Sequence, residues 1–364
     1  MNSQLIYIST AKFHSALQIP IFKESDPANA LHGHTFSARV FANLPQAWKS
    51  FKGGESDMLT TEINRAISPL NYNHLNKIID IPTDENIVRF IRNQLQIPNI
   101  TQVGVQSTDD NGVDLDIENK LHIWRKYRFE SAHYLPNVEK GHQCGRMHGH
   151  GFEVVIHCNQ TLADNQNMGI NYAVIDRAWQ DIFNQLNYKC LNDIKGLENP
   201  TSEMLSAWIW HKLKNTLPLS WITVYETATA GCHFDGTNYR IWKEQRFESA
   251  LILSDAPKNH KARNMHGHSY ICRLHLSAPL DKIMGWTVDY GDVKSIFKPS
   301  YILLDHHRLD TLTSNSNGSL ESTLKWIKKQ LLSDLPQLDR IDLFNTPGNG
   351  ASLSWGNLGP ALPS

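Results

Sequence analysis

HGH occurs three times in this chain, at His32–His34, His148–His150 and His266–His268, at intervals of 116 and 118 residues. Repetition at a near-fixed interval constrains a fold more than composition does, because every copy must rebuild the same unit. The surroundings repeat with the pair. FHSAL, FESAH and FESAL precede it, from Phe13, Phe129 and Phe247, and FSARVFA, FEVVIHC and YICRLHL follow. An Asp near a helix start comes next (Asp57, Asp176, Asp289), then LNYNHLN, LNYKCLN and LDHHRLD from Leu70, Leu186 and Leu304. PTDENIVRFI, PTSEMLSAWI and GSLESTLKWI open a second helix, and VGVQST, TVYETA and DLFNTP close each unit as a short strand. The chain divides into three tandem copies, 1–122, 123–241 and 242–364.

An interval of this length is too long for a solenoid repeat and suits a small domain duplicated twice. KYRFESAH and GFEVVIHC alternate apolar and polar residues, as half-buried antiparallel strands do. The segments after Asp176 and Pro200 have helical spacing, and Pro-Thr is a good helix opening. Strands covered on one face by helices make an α+β layer. One such unit leaves sheet edges exposed. Three side by side remove them by closing a pseudo-trimeric antiparallel β-barrel with the helices outside.

Composition narrows the function classes. The formal net charge of −1, without long runs of one sign, gives no footprint for nucleic acid or an anionic membrane. No apolar segment approaches the roughly 20 residues of a membrane span, and the opening MNSQLIYISTAKF lacks the pattern of a signal peptide. Five scattered cysteines form no disulfide framework. A soluble, cytoplasmic protein with reduced thiols is expected.

The chemistry concentrates in the middle copy. His148 and His150, if extended, point one way, and His133 ends the preceding strand where it can converge on them. Three histidines with an open fourth position are the pattern of a catalytic zinc site. The outer copies carry Leu17 and Leu251 in place of His133, and Ala28 and Ala262 in place of Cys144. One Zn2+ per chain is therefore expected. A thiol beside a cation can act as a base, although a fourth metal ligand or an inert buried thiol are the other readings of Cys144.

The middle-copy segments FESAHYLPNVEKGHQCGRMHGH, GLENPTSEMLSAWIW and VYETATAGC resemble the 6-pyruvoyltetrahydropterin synthase family, in particular its 6-carboxytetrahydropterin synthases of queuosine (7-deazaguanine) biosynthesis. The resemblance is strong across 123–241 and eroded in both flanking copies. It implies the tunnelling fold (T-fold), a four-stranded antiparallel sheet with two helices that trimerises into a twelve-stranded barrel. Three tandem copies then look like a covalent trimer, and a homodimer would rebuild the family's hexamer as a pseudo-hexamer.

Residue by residue, the resemblance implies His133, His148 and His150 as zinc ligands and Cys144 as the catalytic cysteine. It implies Glu226 as the pterin anchor, which suits a carboxylate accepting from two ring donors as a bidentate pair. Glu203 and Thr201 of PTSE are matched substrate-binding positions. At the Glu226 position the outer copies read Gln106 and Asn345. The family's Asp-His relay is absent from the first two copies, which carry Asn71–Tyr72 and Asn187–Tyr188, and survives as Asp305–His306 in the third. The expectation is one shared site, with metal, thiol and anchor from the second copy and catalytic Asp305 and His306 from the third. The implied activity is a zinc-dependent lyase acting on 7,8-dihydroneopterin triphosphate to give 6-carboxytetrahydropterin, acetaldehyde and triphosphate. The alternatives are a lyase on a related pterin and a non-catalytic pterin-binding protein.

Overall fold

The computed structural model describes residues 3–48, 50–160, 162, 166–312 and 317–356. The first repeat consists of β1 (Gln4–Leu17), β2 (His32–Ala42), α1 (Glu55–Ile67), β3 (Asn73–His74), α2 (Asp84–Gln94), β4 (Ile100–Thr108) and β5 (Asn111–Asp116). The second follows the same order: β6 (Leu121–His133), β7 (His148–Gln160), α3 (Tyr172–Leu186), β8 (Lys189–Cys190), α4 (Ser202–Leu213), β9 (Leu219–Thr227) and β10 (Ala230–Phe234). So does the third: β11 (Tyr239–Leu251), β12 (His266–Ser277), α5 (Tyr290–Leu304), β13 (His307–Arg308), α6 (Leu320–Leu331), β14 (Leu338–Thr346) and β15 (Asn349–Ser354).

Four long strands per repeat pair antiparallel, and the repeats join through β5–β6, β10–β11 and β15–β1. The result is a closed twelve-stranded barrel without a free edge among these strands. The two-residue strands β3, β8 and β13 add in parallel to β1, β6 and β11. Among the described residues, no helix is long and apolar enough to cross a membrane.

The helices begin where the sequence supplies an acceptor. Thr83, Thr201 and Ser319 cap α2, α4 and α6 by accepting from Asn86, Met204 and Ser322 N–H. Their apolar faces, such as Ile87, Val88 and Ile91 of α2, are buried. Each repeat packs one stacked ring pair between its first two strands: Phe13–Phe36, Phe129–Phe152 and Phe247–Tyr270. At two junctions a tryptophan of the next repeat lies over a glycine. A Cβ on Gly112 would meet the Trp124 ring at 2.6 Å, and one on Gly231 would meet the Trp242 ring at 2.3 Å. Glycine is required there by the closeness of the packing.

The register corrects one sequence alignment. β4, β9 and β14 each skip one residue against their hairpin partner, between Gln106 and Thr108, Tyr225 and Thr227, and Phe344 and Thr346. The bulged residues are Ser107, Glu226 and Asn345. The first-repeat counterpart of Glu226 is thus Ser107, not Gln106, whose place is that of Tyr225. A bulge re-aims one side chain. Tyr225 and Thr227 both face the barrel bore, and Glu226 between them lies within the field of Glu203 and Asp289.

Candidate metal and thiol site

His133 stands opposite His148 across the β6–β7 ladder, and His150 opposite Ser131. Directly opposed and alternate residues share a face, so the three imidazoles converge. The His133 and His150 Nε2 atoms are 3.2 Å apart, and one nitrogen from each of the three rings lies within 4.8 Å of the others. Each ring's Nδ1 faces a backbone carbonyl: Pro200 for His133 at 3.3 Å, Arg146 for His148 at 2.8 Å and Gly151 for His150 at 3.2 Å. A ring that donates from Nδ1 presents the Nε2 lone pair to an ion. Burial, then His148 and His150, hold His133 down at about 4, and burial lowers His150 as well.

Three imidazoles aimed at one point, each with its Nδ1 on a carbonyl, could hold a metal ion. Among the described residues this is the one cluster of His, Cys, Asp and Glu that meets this geometry. In the outer repeats Leu17 and Leu251 hold the register position of His133, opposite His32 and His266, and both are buried.

Cys144 is the middle residue of a short 3-10 turn, Gln143–Gly145, between the two strands that carry the histidines. Ala28 and Ala262 occupy the same place in Pro27–Asn29 and Lys261–Arg263. The turn is capped by His142, whose Nδ1 accepts from Cys144 N–H at 3.2 Å. Burial, followed by the charges of Glu226 and Asp289, pushes the thiol up. Glu226 is half-buried; burial, reinforced by Glu203 and Asp289 against the pull of Lys243, raises its carboxyl to about 7.

Glu203 and Thr201 sit at the junction with the third repeat. Buried Glu203 accepts from Thr287 N–H at 2.8 Å and its hydroxyl at 3.1 Å, and Thr201 donates its hydroxyl to Gly285 O. Glu85 and Thr83 do the same at the first junction, on Gly169 N–H and Asn167 O. Both pairs clamp the loop that precedes the next repeat's long helix.

Asp305 and His306 are placed elsewhere, which corrects the expectation of a relay shared within one chain. Asp305 accepts from Glu248 N–H at 2.9 Å, and His306, at φ 58°, donates its N–H to Glu248 O. His306 lines a groove of the third repeat itself, with Gly267 and His268 of its own HGH strand. The third-repeat residue near Cys144 is Asp289, at the opposite end of the 15-residue helix α5. A helix of that length spans about 22 Å, so Asp305 cannot reach the thiol of the same chain. Asn71–Tyr72 and Asn187–Tyr188 make the same backbone bonds to His14 and Glu130 at the same left-handed turn.

The sequence alignment also missed Asp289 as a partner of the site. Ser15, Ser131 and Ser249 bond to the carbonyls of Leu70, Leu186 and Leu304, which makes these leucines equivalent. Fifteen residues before them stand Glu55, Asn171 and Asp289, so Asp57 and Asp176 are not its counterparts. Counting back from the leucines would have found this.

Comparison with known proteins follows the same lines. The family model for 6-pyruvoyl tetrahydropterin synthase matches residues 122–237 and 240–355. A 6-carboxy-5,6,7,8-tetrahydropterin synthase from Synechocystis sp. is 35% identical over 120 residues, covering 31% of this chain and 91% of that protein. Among solved structures, 6-pyruvoyl tetrahydropterin synthase from Caenorhabditis elegans aligns at 19% identity and a TM-score of 0.30, over 32% of this chain and 95% of that one. A uricase from Bacillus fastidious aligns at 12% identity and a TM-score of 0.28, over 72% of this chain and 90% of that one.

Proposed function

The chain belongs to the 6-pyruvoyl tetrahydropterin synthase family, and from that premise we propose that it is a 6-carboxytetrahydropterin synthase of the queuosine pathway with one working site per chain. The observation that carries this reading is the coincidence, in the second repeat alone, of the three converged imidazoles, the Cys144 turn and the bulged Glu226. The Synechocystis relative matches over 120 residues, about the length of one repeat. Five unpaired cysteines fit a reducing, cytoplasmic setting.

His133, His148 and His150 would hold zinc, which when bound supplies Lewis acidity toward the substrate's side-chain hydroxyls. The residues of the chain divide the remaining work. Glu226, once ionised, accepts from two donors of the pterin ring and fixes its orientation. Cys144 takes and returns protons on the side-chain carbons. Over the full reaction, 7,8-dihydroneopterin triphosphate and water give 6-carboxytetrahydropterin, acetaldehyde and triphosphate. Mass spectrometry of the products formed by the zinc-loaded protein tests the proposal. Acetaldehyde with the carboxylated pterin is the expected outcome; 6-pyruvoyltetrahydropterin, or no product, refutes it.

The rim of the barrel at the HGH end suggests the assembly. Leu31, Met147 and Met265 precede the three HGH strands and are exposed, as are Tyr72 and Tyr188. A ring of apolar side chains around one end suits a second copy of the chain placed end to end. His306 lies at the same end, so Asp305 and His306 would act on the thiol of the partner chain, not their own. Light scattering should give the mass of two chains, and a monomer would refute the assembly.

A further inference from the structure

We propose that His142 and Asp289 form a positioning pair for the Cys144 thiol, assembled across the junction of the second and third repeats. The inference deepens the lyase reading, on which its catalytic meaning rests. His142 Nε2 lies 3.4 Å from Asp289 Oδ2, and its Nδ1 accepts from Cys144 N–H at 3.2 Å. The ring is thus met at both nitrogens, by a hydrogen bond at Nδ1 and by a carboxylate at ion-pair distance from Nε2. A carboxylate there favours the tautomer with its proton on Nε2, in which Nδ1 is free to accept. Trp286 of the third repeat lies against the same ring, with centroids 6.3 Å apart. Asn137, earlier in the thiol loop, donates to Ile283 O of the third repeat. The loop that carries Cys144 is docked on the loop that carries Asp289.

The molecule contains its own comparisons. In the third repeat His260 makes the same cap, accepting from Ala262 N–H at 3.2 Å, but its ring meets Phe51 of the first repeat. In the first repeat the cap is Asp26, bonded to Ala28 N–H. At the Asp289 position the other two helices have Asn171 and Glu55, of which Asn171 caps Ala173 and Glu55 accepts from Gly53 N–H. A capping histidine and an aspartate meet at one junction of three. It is the junction with the thiol and the three imidazoles.

These comparisons also supply variants that keep the local fold. His142→Asn retains a capping oxygen, as Asp26 does, and loses the reach to Asp289. Asp289→Asn retains the helix cap, as Asn171 does, and loses the charge. The groups facing the thiol are His142 from its own turn, Glu226 from β9 and Asp289 from the α5 cap, with Glu203 and Lys243 around Glu226. Removing one negative charge beside a thiol favours the thiolate, and removing the donor that quiets that charge disfavours it.

The test is the rate of iodoacetamide alkylation of Cys144 in the full-length, zinc-loaded protein between pH 6.5 and 9. Peptide mass spectrometry separates this thiol from Cys190, the other partly exposed one. Asp289→Asn should speed alkylation at pH 7.5 about 3-fold and His142→Asn should slow it about 2-fold, in proportion to the thiolate present. Zinc content should stay unchanged in both. An unmoved rate in either variant, a shift of both in one direction, or loss of zinc overturns the pair. Because no pterin enters the measurement, failure of the product assay with opposed alkylation shifts refutes only the lyase reading, and the converse refutes only the pair.

Discussion

Cys144→Ala removes turnover and leaves the zinc content of the protein unchanged. The expected loss in kcat is about 10³-fold or more, the scale on which a positioned proton carrier contributes. Alanine is already the residue at this place in both outer repeats, where Ala28 and Ala262 sit in the same capped turn, so the turn survives the change. The metal should survive as well, because its three imidazoles come from β6 and β7 and each Nδ1 is held by a backbone carbonyl independent of the thiol. Kinetics and elemental analysis of the same preparation decide the matter. Loss of zinc would identify Cys144 as a fourth ligand, with no open position left for substrate.

His133→Leu is the opposite experiment. It should empty the site of metal and end activity while the barrel keeps its stability to within about 1 kcal/mol, since the molecule already packs leucine at this register position twice. Leu17 and Leu251 stand there 2% and 3% exposed, and His133 is fully buried. Burial holds this imidazole in its neutral form, so leucine replaces an uncharged ring and strands no charge. Zinc per chain, measured beside a thermal melt, gives the answer. Zinc retained at one per chain would mean that His148 and His150 suffice, and the HGH pairs of the outer repeats would then also be competent.

The repeats, the barrel and the histidine cluster were legible because each depends on short-range pattern. Alternation sets strand faces, and face sharing sets which histidines meet. What escaped the sequence depends on register and distance. A one-residue bulge shifted the counterpart of Glu226 from Gln106 to Ser107, and no propensity marks such a bulge. The Asp305–His306 pair matches a motif letter by letter, yet helix α5 separates it from the thiol. Asn187 and Tyr188 make the same backbone bonds as that pair, so the motif persists partly for the turn it builds. Asp289 was legible only as a helix-start residue, because its role comes from a neighbour in another repeat.

Fusion of the three repeats has a consequence for dilution. The seam between β15 and β1 joins opposite ends of the chain through strand pairing. The seam that carries the site, β10 to β11, is also tied by the four residues Asp235 to Asn238. A short tether keeps two surfaces at millimolar effective concentration however dilute the protein becomes. The two halves of the thiol site therefore stay together where a trimer of separate chains would come apart, and each junction was free to change without altering the other two.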